Sequence, residues 1–515
     1  MVALSRPTQL PPVALSRLVA LLGAQLEPGH QLVEVSGVTL RSSEVRPGDL
    51  FAALPGANTH GIAFAAAAGD AGAVAILTDP AGAAYGSTVD ASLPCLVVVA
   101  DPRAVLGQLS AAIYGDPSRR LAVLGLTGTN GKTTTSYLLE AALRAAGQRP
   151  GLIGTIETRM DTADGPVAVP AQRTTPEAPD LQATLALMVE NGVDSVAMEV
   201  SSHALALDRV AGTGFEVAGF TNFSQDHLDF HGDLEAYFAA KALLFDGRAK
   251  YEVVLTDDEW GRRLLRPNTV TVSAGEQRRA DWYGSDVLTH GGATAFVAHG
   301  PGERELQVRL GLPGDFNVAN ALVALAMLDC AGYDVEQGVR GLEAARVPGR
   351  MEVVAAGQPF TAVVDYAHTP AAVATVLRAL RPQTDGAVIL VLGCGGDRDA
   401  GKRPLMGKVA ARGSDVLIIT DDNPRSEDPA AIRAAMREGA QSVDAAQRGA
   451  VVEVDGRSEA IEAAVDRAVP GDIVVIAGKG HEQGQEIAGV TTPFDDRQIL
   501  RTALAAHGWS GGQGP

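Results

Sequence analysis

The stretch VLGLTGTNGKTTTSYLLEAAL, residues 123–143, constrains the fold more than any other part of the chain. It reads as an apolar strand, a turn carrying Gly128 and Gly131, and a helix. A strand of near-continuous apolar character is of the kind buried on both faces, as in a parallel sheet covered by helices. The glycines let the backbone turn tightly, with the N–H groups of Gly128, Thr129, Asn130 and Gly131 facing inward. Lys132 adds a positive charge, and Thr133 or Thr134 places a hydroxyl at the helix N-terminus. Together these groups suit a nucleotide phosphate. The spacing is not that of GxxxxGK[ST], because Gly125 lies six residues before Gly131 and Gly128 only three. An ordinary tight turn is the alternative reading, and the adjacent Lys-Thr-Thr argues against it.

At 515 residues the chain is long enough for two to four domains. Aromatic residues are 4%, so cores of Ala, Val, Leu and Ile are expected, which suits α/β layers. Apolar runs divide the sequence into three sections. The first contains QLVEVSGVTL, DLFAAL, GAVAILTD and CLVVVA, a small α/β module ending near Asp101-Pro102. The second contains VDSVAMEVS, FEVAGFTN and YEVVLT, then TVTVSAG and alternating runs to ELQVRLGLPG, read as antiparallel strands added to one side. NVANALVALAMLDCAGY is a strong helix ending at Gly332, and RVPGR, 346–350, looks like a hinge. The third section restarts with FTAVVDYA, GAVILVLG, DVLIITDD and GDIVVIAG, and polar residues follow the strand ends, where open sheets place ligands. The expected fold is therefore α/β in three domains, at 1–103, 104–348 and 349–515.

The formal charge of −19 argues against a non-specific nucleic-acid binder or a protein of anionic membrane surfaces. Cys95, Cys330 and Cys394 are far apart and form neither a disulfide framework nor a thiolate zinc motif. The N-terminal segment has no apolar run long enough for a signal or membrane helix, so a soluble cytoplasmic protein is expected.

Beyond the loop, Glu199 ends an apolar strand, where a carboxylate is costly without a partner; Mg²⁺ shared with phosphate oxygens is one candidate, a salt bridge or cap another. Asp226, His227, Asp229 and His231 form a D-H-x-D-x-H cluster that leaves zinc, magnesium or a hydrolase open. Lys241 sits in the apolar stretch YFAAKALLF, either desolvated or snorkelling. In the third section, Arg398 and Arg425 are planar donors suited to a carboxylate, and Glu482 can receive an ammonium group. A diamino dicarboxylic acid needs that distribution, because its distal end is a zwitterion.

GTNGKTTT, MEVSSHAL, DHLDFHG and AAKALLF, in this order and spacing, resemble the Mur ligase family, ATP-dependent amide-forming enzymes of peptidoglycan precursor synthesis. The resemblance spans about residues 36–490. It implies a UDP-substrate-binding first domain, a P-loop ATPase-like central domain and a Rossmann-like third domain that binds the amino acid. It also implies carbamylation of Lys241, which with His227 would hold a second Mg²⁺, while Glu199 and Thr133 serve the first. Asn317 matches a family Asn near the nucleotide, and Asp365 and His368, in VVDYAHTP, belong to the nucleotide-facing edge of the third domain.

Leu40 and Ser42 match positions of uridine contact, although Arg41 and Ser43 replace the usual Asp and Arg. Thr174, Thr175, Ser201 and Arg209 match positions that hold a muramoyl dipeptide, and Leu207 replaces a Gln of some relatives. Asp422, Asn423, Pro424 and Arg425 keep a DNPR motif that in this family marks addition of meso-diaminopimelate. Gly478 and Glu482 complete that set. The implied partners are ATP, UDP-N-acetylmuramoyl-L-alanyl-D-glutamate and meso-diaminopimelate, with no nucleic acid and no membrane insertion, for a chain expected to act as a monomer. The implied route is an acyl phosphate attacked by the amine. Sister reactions adding lysine or joining folate to glutamate, and a nucleotide-dependent switch or scaffold, are the competing readings.

Overall fold

The computed structural model describes residues 6–24, 29–89, 93–163, 165–275, 279–290 and 292–511. Among these, three large sheets of four, eleven and six strands follow one another along the chain. The first is wholly parallel, in the order Gly37–Thr39, Asp49–Ala52, Ala75–Thr78, Cys95–Val98. Its strands are short and mostly buried, as expected of apolar runs covered by helices.

The eleven-stranded sheet is centred on Ala122–Thr127, the strand before the glycine turn. That strand lies between Ser195–Glu199 and Phe215–Phe220, both parallel to it. Its apolar run is buried on both faces: Leu124 and Leu126 face one hydrophobic cluster and Val123 another. Antiparallel strands occur at both ends of this sheet, not on one side. The hairpin Glu157–Thr162 and Gly165–Pro170 extends one edge; Trp282–His290, Ala293–Gly300 and Arg304–Leu310 extend the other. Val270–Ser273, within the run expected to be antiparallel, pairs in parallel with Ala249–Leu255. Alternation in the later strands reflects one half-exposed face, not strand direction. The first hairpin escaped notice because Glu157, Arg159 and Asp161 break its apolar pattern.

Helix Phe316–Cys330 buries eleven of its fifteen residues and packs beside Lys132–Ala145, the helix after the glycine turn. A helix apolar on nearly all sides must be enclosed. It ends before Gly332, whose φ of +80° allows the chain to turn away.

The third sheet is parallel except for its edge strand Glu352–Val353. Its order is Glu352–Val353, Thr361–Asp365, Ile473–Ala477, Val388–Cys394, Val416–Asp421, Ala450–Glu453. The strand latest in the chain is therefore inserted between the two earliest parallel ones. Ligand crevices form where strand order switches, at the carboxyl ends. The loops leaving Asp365, Ala477, Cys394 and Asp421 all start at that edge. Gly349 joins this sheet to the central one; its φ is +63°, and a Cβ there would lie 2.1 Å from the His481 nitrogen. Among the described residues no helix is long and apolar enough to cross a membrane.

Candidate active site

The glycine turn is held in shape by its neighbours as well as by its sequence. Gly128 has φ +150° and Gly131 φ +84°, and added Cβ atoms would lie 2.0 Å from Thr221 Oγ1 and 2.4 Å from Asn320 Oδ1. The backbone N–H of Asn130 donates to Asn222 Oδ1 at 2.9 Å, and Thr221 Oγ1 donates to the Asn130 carbonyl at 2.6 Å. Thr129 donates its N–H to the Asn222 carbonyl. Residues 221 and 222 thus fix the turn from the next strand end, a contribution with no signal in the turn itself. Thr134 is buried in the first turn of the helix, and Thr133 supplies the hydroxyl that reaches Glu199, at 3.0 Å.

Two ammonium groups converge on one carbonyl. Lys132 Nζ donates to the Gly128 oxygen at 2.8 Å and to that of Thr129 at 2.9 Å, and Lys241 Nζ donates to the same Gly128 oxygen at 2.7 Å. Like charges this close disfavour double protonation. Burial pulls Lys132 down, with Glu199 and Asp226 resisting. Burial and then the charge of Lys132 push Lys241 well below the ordinary lysine range. Lys241 is only 1% exposed, so it is desolvated and does not snorkel. Burial that disfavours the protonated form makes the amine a better nucleophile.

Glu199 is fully buried and accepts hydrogen bonds from Thr133 Oγ1, Thr155 N and Thr155 Oγ1 at 3.0, 2.8 and 3.0 Å. Among the described residues it has no cationic salt-bridge partner, so the salt-bridge alternative falls away. A buried carboxylate with hydroxyl and amide partners only is a donor set that fits a hard cation. His227, at φ +51°, starts the short helix Leu228–His231. Burial, with His203, Lys132 and Lys241, pushes its imidazole down to about 4 against the pull of Asp226, so the ring is a neutral donor at physiological pH. His231 instead pairs with Ser202 Oγ at 3.0 Å. Among the described residues no three His, Cys, Asp or Glu side chains converge as a metal cluster. The zinc reading of the D-H-x-D-x-H run has no such geometry, whereas a magnesium ion needs few protein ligands beside phosphate oxygens and water.

Arg350, which the sequence marked only as part of a hinge, reaches back from the linker to the phosphate helix. Its guanidinium lies 4.1 Å from the Tyr366 ring centroid and donates to Thr133 Oγ1 at 3.4 Å. Asp365 accepts from Met351 N and Ala367 N, both at 2.8 Å, so its carboxylate ties the linker to the third sheet. His368 Nδ1 bonds the Tyr366 carbonyl at 2.9 Å, and burial keeps the ring neutral. Asn317 has both amide ends occupied, donating to the Pro313 carbonyl and accepting from Asn320. Asn320 is the residue of this pair that touches Gly131, and it too was missed.

Beside Glu199, Thr174 Oγ1 lies 3.1 Å from Thr155 Oγ1, and Thr175 Oγ1 donates to the Glu199 carbonyl at 2.9 Å. Ser201 N donates to Thr175 Oγ1, and Arg209 donates to the Thr175 carbonyl at 3.4 Å while its Nε lies 3.0 Å from Glu177. Thr174, Thr175, Ser201 and Arg209 are therefore one cluster. Leu40 and Ser42 lie apart from it, just past the first sheet's strand Gly37–Thr39. Between them, Arg41 pairs with Glu44 at 2.5 Å and with Asp180 at 3.5 Å, so this chain replaces the family's local polar pair with contacts of its own.

The third sheet faces the central one across a cleft of about 490 Å³. Thr155, Glu157 and Pro348 line one side, and Asn423, Arg425, His481, Glu482 and Glu486 line the other. Arg425 adopts φ +53°; its N–H donates to the Glu486 carbonyl at 3.0 Å and its Nη1 to the Gly396 carbonyl at 2.7 Å. Pro424 lies against Gly396, where an added Cβ would clash with the proline carbonyl. Gly478, at φ +115°, ends its strand against the Asp422 carboxylate. Arg398 is exposed and does not line the cleft. Below the cleft, Arg457 is bonded bidentately to Asp496, both side chains 0% exposed, and donates to the carbonyls of Asp421 and Ala477. It joins the two strand ends that carry Asn423 and Glu482.

The chain matches three family descriptions in order: "Mur ligase family, catalytic domain" over residues 34–114, "Mur ligase middle domain" over 126–328, and "Mur ligase, glutamate ligase domain" over 349–480. It is 51% identical to the UDP-N-acetylmuramoyl-L-alanyl-D-glutamate--2,6-diaminopimelate ligase of Streptomyces coelicolor, covering 97% of this chain and 98% of that one. It is 44% identical to a UDP-N-acetylmuramyl-tripeptide synthetase of Leifsonia xyli, covering 97% of both chains. A solved structure of a UDP-N-acetylmuramoyl-L-alanyl-D-glutamate--2,6-diaminopimelate ligase matches with a TM-score of 0.67 and 33% identity, covering 97% of this chain and 100% of that one.

Proposed function

We propose the reaction from one premise: the chain belongs to the Mur ligase family. It is an ATP-dependent ligase that adds meso-2,6-diaminopimelate to UDP-N-acetylmuramoyl-L-alanyl-D-glutamate, giving the tripeptide, ADP and phosphate. The observation that carries this reading is the cleft itself. Arg425 and Glu482 face Thr155 and Glu157 across it, and Thr155 hydrogen-bonds Glu199 beside the glycine turn. A carboxylate-and-ammonium reader thus stands opposite a phosphate cradle.

A free carboxylate is a poor acyl donor, because amine attack would have to expel oxide. Transfer of the γ-phosphoryl group to the D-glutamyl side-chain carboxylate gives an acyl phosphate. The diaminopimelate amine then attacks its carbonyl carbon, the C–O bond to phosphate breaks, and a proton leaves the nitrogen. In this scheme the amides of Gly128 and Gly131 and the Lys132 ammonium hold the phosphates, because the N–H groups of Thr129 and Asn130 are spent on Asn222. Arg350 adds a guanidinium from the linker beside Thr133, so drawing the third domain onto the central one brings its charge to the phosphate. Thr174, Thr175, Ser201 and Arg209 position the muramoyl peptide, Leu40 and Ser42 the uridine end, and Asp365 and His368 the nucleotide-facing edge.

Thr133 and Glu199 would hold one Mg²⁺, and His227 with carbamylated Lys241 a second. Mg²⁺ held there would supply positive charge to offset that of the phosphates and the acceptor carboxylate. Arg425 reads the distal carboxylate of diaminopimelate and Glu482 its distal ammonium. We read the enzyme as a monomer, with both halves of the site on one chain, working in the cytoplasm where ATP and nucleotide-linked sugars are available.

Phosphate release should require ATP, the UDP-muramoyl dipeptide and diaminopimelate together. Equal turnover with L-lysine would overturn the amine assignment, and phosphate release without any muramoyl substrate would favour a nucleotide-dependent switch.

A further inference from the structure

Lys479 is a lysine with a 0% exposed side chain, lying between the strand Ile473–Ala477 and Glu482. Burying an ammonium is costly unless its hydrogen-bonding capacity is met. Here Nζ donates to Asn423 Oδ1 at 2.9 Å and to Glu482 Oε2 at 3.2 Å, and lies 3.6 Å from Asp422 Oδ1. Asn423 and Glu482 line the cleft, and Asp422 precedes Asn423 directly.

The bonds fix orientations as well as charge. Asn423 Oδ1 also accepts from Glu486 N at 3.1 Å, so the amide oxygen is turned toward Lys479 and filled. Asn423 Nδ2 must then point the other way, and it donates to Glu482 Oε2 at 2.8 Å. Glu482 Oε2 thus receives two donors, while Oε1 has no protein donor among the described residues. Glu482 lines the cleft. Two carboxylates, Asp422 and Glu482, share one ammonium, and Glu486 lies 3.6 Å from the guanidinium of Arg425.

We propose that Lys479 is a positioning residue for the amino-acid substrate: it locks the Asn423 amide and Glu482 so that one free carboxylate oxygen faces the substrate's distal ammonium. This rests on the reading that the rim binds a diamino dicarboxylic acid. Removing the ammonium leaves Asp422 and Glu482 uncompensated and frees the Asn423 amide to turn. The reactive ends of ATP and the muramoyl peptide are not touched.

The test is steady-state kinetics of the full chain, varying each substrate in turn, with Tm measured alongside. Lys479→Met should raise the KM for diaminopimelate about 30-fold, as expected for a lost charged hydrogen-bond set. The KM values for ATP and the muramoyl dipeptide should stay within about 2-fold. Lys479→Gln, which keeps a donor without the charge, should fall between Met and wild type, and it carries the test if the Met variant does not fold. In a Glu482→Gln background, either Lys479 change should add far less than it does alone, since the two residues act as one unit. An unmoved diaminopimelate KM, additive effects with Glu482→Gln, or parallel rises in all three KM values with a fallen Tm would each overturn the inference. A wild-type chain that does not release phosphate in response to diaminopimelate would overturn the functional reading and this inference with it. Wild-type activity with an unmoved Lys479→Met KM would overturn this inference alone.

Discussion

Around Gly128 the proposed ligand groups come from consecutive residues, 128 to 134, whereas around Arg425 they come from three strand ends and a hairpin. The phosphate side uses mostly backbone: a tight turn with two glycines at positive φ, braced by Asn222, and one lysine whose own bonds go to carbonyls of the turn. The amine side uses side chains that orient one another, Lys479 on Asn423 and Glu482, with Arg457 tying the strands beneath. Backbone dipoles recognise any phosphate, so the first design is general. A particular spacing of carboxylate and ammonium needs fixed side chains, so the second is specific, and buried charges are what hold it in place.

That contrast predicts separable failures. The largest is Lys132→Met, which removes the one cation that belongs to the turn. It should lower kcat about 10³-fold, in the range seen when a single charge-stabilising group is lost from a transition state. The KM for diaminopimelate should stay within about 2-fold. Arg425→Met should do the reverse, raising the diaminopimelate KM about 10²-fold by removing a charged bidentate donor, and leaving the KM for ATP nearly unchanged. Initial-rate measurements on both variants decide the matter. If Lys132→Met moved the diaminopimelate KM as far as Arg425→Met does, the two sides would not be independent and the comparison would break.

The same contrast explains what was legible in the sequence. The glycine turn, Lys132, Glu199 and the apolar strands around them follow from local pattern, and resemblance to a family supplied roles for His227, Lys241 and the DNPR run. The three-part α/β architecture was readable because its parallel strands are short apolar runs ended by turn residues. Asn222, Asn320 and Thr155 were not readable, since each acts on a motif far from it in sequence. Arg350 was visible only as a hinge, because its reach to Thr133 depends on how the linker folds back. Lys479 and Arg457 look like ordinary polar residues until burial shows their cost. Arg398 lies in the exposed stretch 397–400 after its strand, outside the residues that line the cleft, and burial gives it no second signal.

The smallest expected effect concerns a neutral ring found on each side, His227 near the turn and His481 on the rim. Burial pushes His481 down to about 3, and Arg350, Arg497 and His368 act in the same direction. In the unfolded chain an ordinary histidine titrates near 6.5. Between pH 3 and 6.5 the unfolded state therefore binds a proton at this site that the folded state does not, so stability falls as pH falls through that window. His481 Nδ1 is buried with no hydrogen-bond partner among the described residues, so a phenyl ring forfeits no bond at that atom. His481→Phe should leave stability at pH 7.5 close to wild type and flatten its decline toward acid, by about one proton taken up on unfolding near pH 5. Denaturant unfolding across pH 4.5–7.5 measures the slope. Equal slopes for variant and wild type would mean that burial and the neighbouring cations do not hold His481 neutral, and that the rim lacks the acid sensitivity expected of it.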